Sequence, residues 1–132
     1  MTALRHSFFV AFGGAVGTLF RHLLNVWTFT PVFPIGTVIE NITGAFLLGI
    51  VTGWLSTIKT SSEWVRKGIG VGFCGGYTTT STFAADSFIV TVQQTPAWAA
   101  LYVALSLTLG LFTAWSGLGL GKTLGERQRT TR

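Results

Sequence analysis

The sequence predicts an all-α membrane protein: one domain of four transmembrane helices, the third of them broken. Three observations carry that expectation. The 132 residues are 48% hydrophobic and only 10% charged, with mean hydropathy +0.56, whereas soluble domains carry about 25% charged residues. Four apolar runs, approximately 7–27, 35–57, 68–92 and 97–121, nearly exhaust the chain. Inside the third run, Gly75 and Gly76 precede Thr78, Thr79, Thr80, Ser81 and Thr82, five consecutive hydroxyl side chains. Adjacent glycines lift the constraint on φ, and Ser and Thr favour helix N-caps over helix interiors. The local expectation is a helix that ends, unwinds briefly across the glycines and hydroxyls, and restarts. Within a membrane such a break must face protein, an ion or water. Four helices make a thin bundle, so oligomerisation is expected.

The first run is uncharged over 7–20, and Arg21 and His22 follow. Gly13, Gly17 and Arg21 lie four apart and share a helical face. That face serves either close packing with a snorkelling arginine or an anion-attracting vestibule. A linker over 28–34 holds Pro31 and Pro34. In the second run Asn41, Ala45, Gly49 and Gly53 are again four apart, which places an amide on the same face as a small-residue stripe. An asparagine on a packed intramembrane face must be hydrogen-bonded, as helix glue or as a donor to a substrate. Glu40 is expected to be solvated near the interface, with proton coupling as its sharper alternative.

A polar loop over 59–67 contains Lys59, Glu63, Arg66 and Lys67, flanked by the interface anchors Trp54 and Trp64. Past the break, Thr78, Thr82 and Asp86 follow i+4 spacing. The fourth run carries no charge, and Tyr102, Ser106, Gly110 and Ala114 define one face of it. Arg5, Lys59, Arg66, Lys67 and the tail cations Lys122, Arg127, Arg129 and Arg132 would share one side of a four-span protein, against Arg21 alone on the other. That bias predicts both termini in the cytoplasm of a cell inner or plasma membrane.

Several function classes fall away. The net charge of +5 and pI of 10.2 arise from cations dispersed along membrane edges, which suits anionic lipid rather than nucleic acid. Cys74 is single, so no internal disulfide forms, and His6 and His22 stand apart from other metal ligands. No nucleophile–base pair suggests an enzyme, and the first run lacks the cleavage site of a removable signal peptide.

A glycine-rich first span, Gly36-Thr37 ahead of Asn41 and Gly44, and the ordered run Gly75-Gly76-Tyr77-Thr78-Thr79-Thr80-Ser81-Thr82-Phe83 together resemble the Fluc/CrcB fluoride channels over essentially the whole chain. The resemblance implies a fluoride-selective channel that exports cytoplasmic fluoride and lowers its toxicity. It implies an antiparallel, dual-topology dimer of four-helix subunits with two narrow pathways. A structural sodium ion (Na+) would sit at the dimer centre, held by the backbone carbonyls of Gly75 and Thr78. Asn41, Ser81, Thr82, Phe83 and Tyr102 map to the fluoride pathway, and Arg21, Thr80 and Asp86 to a vestibule or gate. The family usually has glutamate at the position of Asp86.

Two departures stand out. Thr80 replaces a phenylalanine that the family motif carries three positions before Phe83, so the paired-ring arrangement is incomplete. The strong Lys/Arg bias is also unlike dual insertion. Both point to a heterodimer with an oppositely oriented paralogue, beside the simpler homodimer. Two rival readings differ in class. A small multidrug-resistance-like exporter needs an acid in its first span, which here has none. A non-conducting structural subunit would leave the hydroxyl run without a purpose.

Overall fold

The structure, a computed structural model, describes residues 2–30, 33–58 and 63–130. Pro31, Lys59 and Arg132, which enter the readings above, lie outside these residues. The described residues are helical apart from short links, with no strand: α1 (Thr2–Trp27), α2 (Ile35–Thr57), α3 (Glu63–Val65), a π-helical segment (Arg66–Cys74), α4 (Gly75–Tyr77), α5 (Thr80–Gln93) and α6 (Pro96–Thr130). Three helices are long and apolar enough to cross a membrane: Ala3–Trp27, Ile35–Thr57 and Pro96–Thr130. Helix α6 outruns its apolar stretch by nine residues, 122–130. That extension is rich in Lys, Leu, Glu, Arg and Gln, which are good helix formers, and Arg127 and Arg129 complement the dipole of its last turn.

Glycines set the helix contacts. A Cβ at Gly49 or Gly53 of α2 would run into the Ala114 or Leu118 carbonyl of α6, and one at Gly117 or Gly121 would meet the Phe46 or Ile50 carbonyl of α2. The GxxxG pattern in α2 is thus answered by a second one in α6, and the two backbones touch. Helix α1 approaches the π-helical segment in the same way, through Gly13 and Gly17. The π-helical segment itself holds alternate glycines, Gly68, Gly70 and Gly72, and the sequence pattern gave no sign of its wider turn.

Sequence and structure differ at the glycine pair. Gly75 is helical (φ −66°, ψ −32°), and α4 continues through Gly76 to Tyr77. Among the described residues no glycine has positive φ. The chain extends only at Thr78 (φ −82°, ψ 159°) and Thr79 (φ −147°, ψ 128°). Gly76 serves proximity rather than unwinding, since a Cβ there would strike the Gly14 backbone.

The burial pattern inverts that of a soluble protein. Phe8, Phe12, Leu111, Phe112 and Trp115 are exposed, while the largest fully enclosed side chains are Tyr102, Glu40 and Cys74. Apolar side chains facing outward and polar ones facing inward fit a lipid surround.

Candidate functional site

The interruption at Thr78–Thr79 is held by one side chain. Asn41 Oδ1 accepts from the Thr79 amide at 2.8 Å, and Asn41 Nδ2 donates to the Thr79 carbonyl at 3.1 Å. This pair of hydrogen bonds replaces the helical partners that the extended residue has lost. Thr79 then starts α5 as its N-cap: Thr79 Oγ1 accepts from the Thr82 amide at 3.1 Å and donates to Thr82 Oγ1 at 3.0 Å. Ser81 Oγ lies 3.3 Å from the same hydroxyl.

The same rearrangement strips two carbonyls of partners. The Thr79 and Thr82 amides, which would close helical bonds onto Gly75 and Thr78, are committed to Asn41 and to Thr79 Oγ1. Among the described residues, neither the Gly75 nor the Thr78 carbonyl accepts a hydrogen bond. Both residues border a groove of about 600 Å³ with Thr52, Ser56, Arg66 and Cys74.

On the other side of the break lies a second polar cluster. Thr37 Oγ1 donates to Asp86 Oδ2 at 2.6 Å, and Tyr102 Oη donates to the same oxygen at 3.4 Å. The Phe83 ring is tilted at 33° to that of Tyr102, with centroids 5.3 Å apart. Thr82 and Asp86 face a cavity of about 410 Å³, together with Asn25, Thr37, Gln93 and Gln94.

The structure therefore gathers Asn41, Thr82, Phe83, Asp86 and Tyr102 about the start of α5, and sets Gly75 and Thr78 on the opposite side of the break. Ser81 and Thr80 are exposed on α5, and Thr80 takes no part in these bonds. Arg21 is half-buried on α1, and its carbonyl accepts from Asn25 Nδ2 at 3.0 Å. Glu40 departs from the expected solvation: it is 0% exposed and accepts from Asn25 Nδ2 at 2.8 Å. Sequence reasoning gave no site role to Thr37 or Asn25, and it expected a cap within the hydroxyl run without naming Thr79. Signals for the first two were present. Thr37 stands four residues before Asn41, and Asn25 continues the Gly13, Gly17, Arg21 stripe.

The chain is thus a multi-pass, all-helical membrane protein with amides, hydroxyls and carboxyls gathered at a helix break. The comparisons make the class specific: the chain belongs to the CrcB family. Residues 8–118 match the family described as CrcB-like protein, Camphor Resistance (CrcB). The chain is 48% identical to fluoride-specific ion channel FluC 2 of Halalkalibacterium halodurans, covering 91% of this chain and 88% of that one. It is 41% identical to fluoride-specific ion channel FluC 2 of Bacillus subtilis, covering 91% of each. It is 34% identical to fluoride-specific ion channel FluC 1 of Staphylococcus aureus, covering 86% of this chain and 93% of that one. The family is one of ion channels, not of enzymes, and the resemblance drawn from the third-run motif is borne out.

Proposed function

We propose that this chain is a fluoride-specific channel subunit with four membrane crossings. The third is formed by the π-helical segment, α4 and α5 around the break. The observation that carries the reading is the two-residue interruption held by Asn41, in a chain whose relatives bear the name of fluoride-specific ion channels.

Fluoride is small and tightly hydrated, and an ion stripped of water without compensation costs roughly tens of kcal/mol. The pathway must supply donors. Asn41 Nδ2 carries two N–H groups and uses one on Thr79, which leaves the other for an anion. The Thr82 hydroxyl accepts from Thr79 and keeps its own proton free, and Ser81 adds an exposed hydroxyl. The first turn of α5 presents its positive end, and the Phe83 and Tyr102 rings offer electropositive edges. Fluoride then leaves the cytoplasm down its own gradient, which lowers its toxicity.

The Gly75 and Thr78 carbonyls fit a hard cation, because they are oxygen donors without hydrogen-bond partners. Bound sodium would supply positive charge that ties helix ends together. A Cβ at Gly75 would meet nothing within 4 Å, so this face is open to a second, oppositely oriented subunit. The heterodimer is favoured by Thr80, by the cation bias that predicts both termini in the cytoplasm, and by relatives numbered FluC 1 and FluC 2.

The test is fluoride against chloride efflux from vesicles holding the purified chain, alone and with a paralogue, in sodium and in sodium-free buffer. Fluoride-selective efflux that weakens without sodium is expected. Robust efflux from the chain alone would sink the obligate heterodimer, and proton-coupled uptake of a lipophilic cation would favour the exporter instead.

A further inference from the structure

Glu40 has no part in the pathway just described. It is nonetheless one of the most deeply enclosed side chains, at 0% exposure. One carboxyl oxygen accepts from Asn25 Nδ2 at 2.8 Å, and the other is buried with no hydrogen-bond partner. Among the described residues no cation stands within ion-pair distance of it. The charged and titratable groups that bear on it are Arg21 from α1, Asp86 from α5 and Tyr102 from α6; the π-helical segment and α4 bring none.

A carboxylate in this position is poorly compensated, with one oxygen unpaired and a second acid nearby. Packing does not explain the choice of residue. Glutamine would accept the same bond from Asn25 without an ionisable oxygen. Glu40 is also the immediate neighbour of Asn41, whose amide holds the break, and Asn25 links it to the cavity that Thr82 and Asp86 face.

We propose that Glu40 is a proton-controlled positioning residue for anion passage: neutral, it leaves the pathway beside Asn41 open to an anion, and ionised, it sets a negative charge there that slows conduction. Glu40 acts through the local field, and Asn41 makes the contact. In a low-dielectric site one added negative charge weakens anion occupancy strongly. Arg21 limits the effect by offsetting part of that charge. The inference rests on the channel reading above.

The experiment measures fluoride efflux from reconstituted vesicles at a series of symmetrical pH values, with the leak of hydrogen fluoride through protein-free vesicles subtracted. For the natural chain, efflux is expected to fall several-fold from acidic to alkaline pH. Glu40→Gln is expected to keep the acid-side rate throughout. Infrared difference spectra supply a second readout that needs no variant to conduct. A protonated-carboxyl band should fade as pH rises, in step with efflux, and Glu40→Gln should lack it. Parallel pH profiles for the two proteins, a flat profile for the natural chain, or no titrating carboxyl band would each overturn the proposal. Absence of fluoride flux at every pH, both from the chain alone and from the chain with a paralogue, would instead overturn the channel reading and remove this one with it.

Discussion

Helix α2 works through two faces that obey different physics. Toward α6 it offers Gly49 and Gly53 and receives Gly117 and Gly121, so backbone meets backbone with no room for a Cβ. Toward α1, the break and α5 it offers Thr37, Glu40 and Asn41, each in a side-chain hydrogen bond to another segment. The first face is specified by the absence of side chains and the second by their donors and acceptors. It follows that the glycine face should fail when anything grows. The polar face should fail when hydrogen-bonding capacity changes at constant size.

The largest effect expected is at the glycine face. Gly49→Leu drives a branched side chain into the Ala114 carbonyl of α6. Overpacking a close-packed site costs about 1–3 kcal/mol when neighbouring side chains yield, and here the obstacle is backbone. We expect no monodisperse protein on size-exclusion in detergent. Recovery of folded, conducting Gly49→Leu would show that the α2–α6 contact is looser than its geometry implies.

Next comes Asn41→Ala on the polar face. It orphans the Thr79 amide and carbonyl together, and an unsatisfied buried polar group costs about 1–3 kcal/mol. A marked fall in thermal stability and at least about a tenfold loss of fluoride efflux are expected, because the break and a donor go together. Asn41→Asp separates the two requirements. It keeps an acceptor for the Thr79 amide but turns a carboxylate toward the Thr79 carbonyl. If Asn41→Asp behaves like the natural chain, hydrogen-bond polarity is not what the polar face requires.

Much of this contrast was legible in the sequence, and its limits have physical causes. Composition and the four apolar runs indicated helices and a membrane, and the small-residue stripes indicated where helices touch. The reading erred in placing Asn41, Ala45, Gly49 and Gly53 on one face. Each four-residue step turns an α-helix by about 40° beyond a full circle, so Asn41 and Gly49 diverge enough to meet different partners. The break was foreseen across the glycine pair and the hydroxyl run, and it falls inside that stretch at Thr78 and Thr79, past the glycines themselves. Local glycine preference yielded to a long-range bond from Asn41, which no local pattern encodes. Glu40 was misplaced for a similar reason: nearness to a helix end suggested solvent, whereas Asn25 of another helix closes over it.

A smaller effect tests the cap by itself. Thr79→Ala removes the acceptor for the Thr82 amide and leaves the bonds from Asn41 to the backbone in place. Loss of an N-cap hydroxyl costs about 1 kcal/mol. We expect folded protein with reduced efflux, and Thr79→Ser should restore both stability and efflux. Failure of Thr79→Ser to restore them would mean that the methyl group, and not the hydroxyl, matters there.

The smallest effect belongs to polar bonds outside both faces, and it shows whether polarity counts because of where it lies. At the start of α3, Glu63 accepts from Lys67 Nζ at 3.0 Å, pairs with Arg66, and has His6 at 4.0 Å. The hydrogen bond from Lys67, helped by the charges of Arg66 and Lys67, holds the Glu63 carboxyl below its ordinary range. A carboxyl depressed in the folded state adds stability above its unfolded value, and that stability is lost as pH falls through the folded value. The cluster lies at the surface, where water and salt screen it. Glu63→Gln should therefore lower the thermal midpoint only slightly at neutral pH and low salt. The difference should vanish in high salt and again below the carboxylate range. A loss as large as that of Asn41→Ala would mean that the number of hydrogen bonds, and not their enclosure beside the break, sets their weight in this protein.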